Sequence, residues 1–153
     1  MVPESVEREV LIEAPVDLVW SIITEPEHVA SWLSDSVEID AQPGGNAAFT
    51  WDQHGMSRAR VERVEPPSLF AFRWVAAIGR SSGQEVTDGN STLVEFHLSP
   101  EGEATRLRVV ESGFPRLDGT EDQNAEVAEG HNSGWIRELG DLEEYVAKVR
   151  TSV

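Results

Sequence analysis

Two titratable side chains stand where acid–base chemistry can be done. His131 lies four residues before Trp135, a spacing that sets both on one face of a helix. An imidazole there can orient a ligand or exchange a proton near neutral pH. It can equally be a hydrogen-bonded histidine at the frayed start of its helix. Glu111 alternates with Leu107 and Val109, so on a strand it shares their inward face. Among aromatics its pKa would rise, which suits a carboxyl acid or base. Pairing with Arg60, Arg73 or Arg108, or a place at a wet mouth, are the alternatives. Arg60 belongs to a segment with Arg58 and Arg63. A guanidinium can hold a carboxylate ligand bidentately, but its place opposite Val61 favours a surface ion pair.

The remaining histidines do not make a metal set. His28, His54 and His97 fall on different segments; His54 is expected in a loop, and His97, next to Phe96, should point outward. No pair of histidines has the spacing of a helical zinc motif. The chain has no cysteine, which removes disulfides, thiolate ligands and thiol nucleophiles together. Glycine-rich phosphate loops are absent as well. The sequence therefore calls for no metal and no cofactor, and it designates no catalytic residue.

Charge narrows the partners. The 153 residues carry 28 acidic and 12 basic side chains, a formal net charge of −16. Such a surface repels phosphate backbones and anionic lipid, so neither nucleic acid nor membrane is expected. Met1 to Glu9 lacks the basic and apolar regions of a secretion signal, and no apolar run is long enough to span a bilayer. The expectation is a cytoplasmic protein of one domain, residues 1–153, with a real core.

The elements that must position these residues follow from hydrophobic period. Val6, Val10 and Ile12 give a first strand, stopped by Ala14-Pro15. Val16, Val19, Trp20 and Ile23 recur at helical spacing, and a second short helix is expected through His28, Val29, Trp32 and Leu33. Period-two alternation then dominates: Ala47, Phe49, Trp51; Ala59, Val61; Phe70, Phe72, Trp74; Val94, Phe96, Leu98; Leu107, Val109, Glu111. Residues 76–91 are expected to form a long mobile connection able to act as a lid. From about Asn124 to Arg150 a stripe of Val127, Ala128, His131, Trp135, Leu139, Leu142 and Val146 predicts a long helix. Gly130, Gly134 and Gly140 lower its intrinsic propensity by up to about 1 kcal/mol each, so packing must hold it. Successive strands joined by short turns should form an antiparallel meander, an α+β arrangement of about seven strands around the long helix.

The order and five local stretches resemble a known family. Val10 to Trp20, with Ala14-Pro15 and Val19-Trp20, resembles the opening of the START-like or SRPBCC superfamily, also called Bet v 1-like. Trp32, Gly44-Gly45, Glu111-Ser112-Gly113-Phe114, and Gly134-Trp135 with Leu139 and Leu142 resemble later motifs of its AHSA-like branch, the homologues of activators of a heat-shock-protein ATPase. The resemblance implies a helix-grip fold, a curved antiparallel sheet around a C-terminal helix with an apolar cavity between them. It leaves function open, because one fold carries many activities.

The first expectation is a domain that binds a small hydrophobic molecule. Phe49, Trp51, Phe70, Phe72, Trp74, Phe96, Val109, Glu111, His131 and Trp135 would line its site. The alternatives are a cyclase- or hydrolase-type enzyme using His131 or Glu111, and a cochaperone-like interaction module. A homodimer and a chaperone partner are both compatible with the resemblance.

Overall fold

The computed structural model describes residues 1–53, 55–76 and 83–151. His54 and residues 77–82 of the expected connection lie outside the described residues. The alternating segments form seven strands: β1 (Ser5–Ile12), β2 (Ser36–Ile39), β3 (Asn46–Trp51), β4 (Gly55–Glu65), β5 (Leu69–Val75), β6 (Ser91–Glu101) and β7 (Ala104–Ser112). Between the first two lie α1 (Val16–Thr24) and α2 (Pro26–Val29); α3 (Glu121–Thr151) follows the sheet. The strand order is β1-β7-β6-β5-β4-β3-β2, antiparallel throughout. β2 to β7 form the expected meander, and β1 closes the order by pairing with the last strand. This is the helix-grip arrangement.

The sheet curls for a local reason. In β4 the register with β5 shifts between Val61 and Arg63, which leaves Glu62 as the extra residue of a bulge. A bulge bends its strand and increases twist, so Phe49, Phe72 and Trp74 converge instead of lying on a plane. Their ring centroids stand 5.2 to 5.5 Å apart. The alternation expected from the sequence holds: Phe70, Phe72, Val94, Phe96, Leu107 and Val109 are all buried on one face. Trp135 of α3 packs on that face, stacked on Trp74 at 5.8 Å and edge-on to Phe96 at 5.8 Å.

Two boundaries differ from expectation. α2 ends at Val29, and Trp32 and Leu33 lie in the turns after it. They are buried all the same, because the Trp32 indole donates back to the Ile22 carbonyl at 3.1 Å. Tertiary packing, not helical period, places them. α3 begins at Glu121, three residues before the apolar stripe led us to expect. Thr120 and Gln123 form a capping box: Thr120 Oγ1 accepts from the Gln123 amide at 3.1 Å, and Gln123 Oε1 accepts from the Thr120 amide at 2.9 Å. The polar run Thr120 to Gln123 is thus the helix start.

The chain between β7 and α3 turns at Gly113, whose φ of +101° lies in the left-handed region that only glycine enters without strain. This turn follows Glu111 by two residues. It sends Phe114 into the core, where its ring meets His131 edge-on at 5.8 Å.

Candidate functional site

Glu111 is the most unusual residue of the interior. It is completely buried near the end of β7, and its partners reach it from β5, β6 and α3. Trp135 Nε1 donates to Oε1 at 2.8 Å; Trp74 Nε1 donates to Oε2 at 2.9 Å; Thr92 Oγ1 donates to Oε2 at 2.5 Å. His131 Nδ1 lies 2.9 and 2.8 Å from the two oxygens. Burial alone would push this carboxyl up. The charge of His131 and hydrogen bonds from His131, Thr92 and Trp74 outweigh it, and the pKa falls below the ordinary 4.5. An ionised carboxylate only accepts, so Nδ1 of His131 must carry the proton of their hydrogen bond.

The expected partners of Glu111 are therefore replaced. Arg60, Arg73 and Arg108 occupy strand positions that face away from the core. Arg60 and Arg73 both meet Glu62, at 3.2 and 3.7 Å, and Arg108 pairs with Glu7 across β1 and β7. The ion pair anticipated for Arg60 is what forms. His131 of α3 meets the carboxylate instead.

The His131 ring is clamped edge-on by Trp74 at 6.1 Å and Phe114 at 5.8 Å. Its side chain remains 25% exposed, and its Nε2 is not among the buried unpaired atoms. With Nδ1 committed to Glu111, Nε2 is the nitrogen left for solvent or a ligand.

Beside His131 a partly open cavity of about 240 Å³ runs between the sheet and α3. Trp51, Trp74 and Trp135 form its apolar wall with Leu33 and Val75; Ser57, His131, Arg137 and Glu138 add polar groups. All three indole N–H groups are spent elsewhere, two on Glu111 and that of Trp51 on the Leu33 carbonyl at 3.0 Å. The cavity therefore meets indole carbon surface. Gly130 and Gly134 lie on the helix side of it, where a longer side chain would project into the space.

Of the ten residues expected to line a site, Trp51, Trp74, His131 and Trp135 reach this cavity. Glu111 sits one layer behind them. Phe49, Phe70, Phe72, Phe96 and Val109 are each 1% exposed and pack the core beneath. Glu138 and Arg137 were not anticipated. The signal was available for Glu138, which stands seven residues after His131 and so returns to nearly the same helix face. Burial and the charge of Asp141 raise the Glu138 pKa to about 7, with Arg137 opposing at 3.4 Å.

The other expectations fall elsewhere. His28 Nδ1 meets the Tyr145 hydroxyl at 2.6 Å, and His97 stands 3.9 Å from Glu95 on the outer face. Residues 83–90 are tied down rather than free: Arg58 Nε donates to the Gly83 carbonyl, and the Asp118 amide to the Gly89 carbonyl, both at 2.8 Å. None of them lines the cavity.

A family model described as activator of Hsp90 ATPase homolog 1-like protein matches residues 13–147. The chain belongs to this family. Solved structures share the AHSA1-like fold. The protein MLL2253 from Mesorhizobium loti matches with a TM-score of 0.77 at 23% identity, covering 94% of this chain and 97% of that one. Protein BH1534 of Bacillus halodurans matches at 0.73 and 27% identity, covering 95% and 99%. The Aha1 dimer from Colwellia psychrerythraea matches at 0.72 and 15% identity, covering 93% and 95%. The first and third of these speak for the fold alone. No curated protein matches the chain. Among the described residues no helix of this AHSA1-like chain is long and apolar enough to cross a membrane.

Proposed function

We propose that residues 1–153 act as one AHSA1-like domain that binds a small, largely apolar molecule between its sheet and its C-terminal helix. The observation that carries this reading is the wall of Trp51, Trp74 and Trp135, with each of the three indole N–H groups already hydrogen-bonded within the protein. Binding sites are mostly apolar with a few placed polar groups, and His131 is such a group. The occupant is small. A space of about 240 Å³ falls just short of pockets for drug-sized ligands.

The test uses the five tryptophans, of which three line the cavity. Adding 2-phenylethanol should shift the indole N–H resonances of Trp51, Trp74 and Trp135, saturably, and leave Trp20 and Trp32 in place. Gly134→Leu, which fills the space from the helix side, should abolish the response. Equal shifts at all five, or none, would sink the reading.

A second reading, turnover of the bound molecule, is favoured by the His131–Glu111 pair. A carboxylate that orients an imidazole, leaving Nε2 free, is the arrangement of a general base. Loss of turnover in His131→Gln with binding retained would support it. A chaperone partner has less behind it: the exposed large apolar side chains among the described residues are Met1, Leu11 and Ile136, on separate elements. A homodimer rests on likeness to a dimeric fold relative. Pairing through β1 is opposed by its Glu7, Arg8 and Glu9.

A further inference from the structure

We infer that the cavity selects a small organic cation, an amine carried on an aromatic or alicyclic body, with its ammonium set between the tryptophan faces and Glu138. This rests on the binding reading above and names the ligand class within it.

Three observations converge. The first is the wall. Trp is the best of the aromatic side chains for holding a cation, through the negative face of its ring. Trp74 and Trp135 also give their N–H groups to one buried carboxylate. An anion accepting those hydrogen bonds pushes electron density into both rings, which strengthens the face a cation meets.

The second is local charge. Glu138 borders the cavity with its side chain only 16% exposed. Asp141 stands close enough to interact with it, and Glu111 lies directly behind the tryptophans. Against these three carboxylates stand the Arg137 guanidinium and the His131 ring. His131 is already matched by Glu111. Arg137 is 72% exposed and extends into solvent. Above about pH 7, where Glu138 is ionised, these described groups around the cavity sum to a net negative charge.

The third is the long-range field. A net charge of −16 enriches cations near the surface and repels anions. An anionic ligand would have to approach against that field and then find the Arg137 guanidinium engaged with Glu138 and His131 with Glu111.

The experiment compares three ligands of nearly equal shape: phenethylamine, 2-phenylethanol and phenylacetate. They are titrated by calorimetry at about pH 8, above the ordinary imidazole range. Salt is held at about 0.5 M, which shortens the Debye length to a few ångströms and removes the diffuse field. Phenethylamine should bind about tenfold more tightly than the alcohol, and phenylacetate most weakly. Glu138→Gln should erase the preference for the amine over the alcohol, and an unchanged far-ultraviolet circular dichroism spectrum shows that the variant is folded. An amine no tighter than the alcohol overturns the inference while the apolar-site reading survives. So does a preference that persists in Glu138→Gln, or one seen only at low salt. Failure of all three ligands to bind overturns both.

Discussion

Replacing Glu111 by glutamine keeps the size of the side chain and removes its charge. Its carboxylate accepts from two indoles, a hydroxyl and an imidazole. An amide offers one accepting oxygen, and its NH₂ must face donors. If the oxygen takes the place of Oε1, the NH₂ meets Trp74 and Thr92. If it takes the place of Oε2, the NH₂ meets Trp135. Thr92 can rotate its hydroxyl to accept, but an indole N–H cannot change role. One buried N–H is therefore left unpaired in either orientation, at about 1–3 kcal/mol. His131 also loses a charge-assisted bond worth about 1.5–3 kcal/mol. Relief of the carboxylate's burial offsets part of this. The net expectation is a loss of about 3 kcal/mol, or about 6–12 °C in Tm for a chain of this length. Urea and thermal unfolding at about pH 7 measure it.

The pH dependence gives an independent check on the same residue. The folded pKa of Glu111 lies below the ordinary 4.5, so its stabilisation is complete above the ordinary carboxylate range. It is lost as pH falls through the depressed folded value. Glutamine cannot follow this titration. The stability gap between wild type and Glu111→Gln should thus narrow as pH falls below about 5. A variant within about 0.5 kcal/mol of wild type at neutral pH would refute the reasoning, since surface changes produce effects of that size. So would a gap that widens in acid.

Other expectations are simpler to state. Glu138 has its folded pKa raised to about 7, so its contribution is greatest below the ordinary 4.5 and is lost as pH rises through 7. Urea titrations should show wild type losing stability relative to Glu138→Gln across that window. Thr120→Ala removes the capping box and should cost about 1 kcal/mol in urea unfolding, with α3 amides near Glu121 exchanging faster. A Cβ at Gly140 meets nothing within 4 Å, and the residue is exposed and does not line the cavity. Gly140→Ala should therefore stabilise the protein by up to about 1 kcal/mol without changing ligand binding.

The strands and the long helix were legible because each buries one face. Phe70, Phe72 and Trp74 alternate with Ala71 and Arg73, and Trp135, Leu139 and Leu142 recur at helical spacing. The inward direction of Glu111 followed from the same alternation. Its partners did not. Charge alone nominated Arg60, Arg73 and Arg108, yet the pleat sends each of them to the other face of the sheet. The actual partners come from β5, β6 and α3, 19 to 37 residues away in the chain. The start of α3 was legible in principle, since Thr120 and Gln123 have capping-box spacing, but polar residues before an apolar stripe resemble a loop.

Gly130 and Gly134 show the division most clearly. In the sequence they are a cost to helix stability; in the fold they open the helix side of the tryptophan cavity. The sequence by itself determined the elements, their buried faces and the family, because period and local chemistry act over a few residues. Only the tertiary structure decided that Glu111 meets His131 and two indoles, and that Glu138 joins the same wall. Those contacts exist because a curled sheet and a crossing helix bring distant residues within hydrogen-bond reach, and no short-range pattern encodes the crossing point.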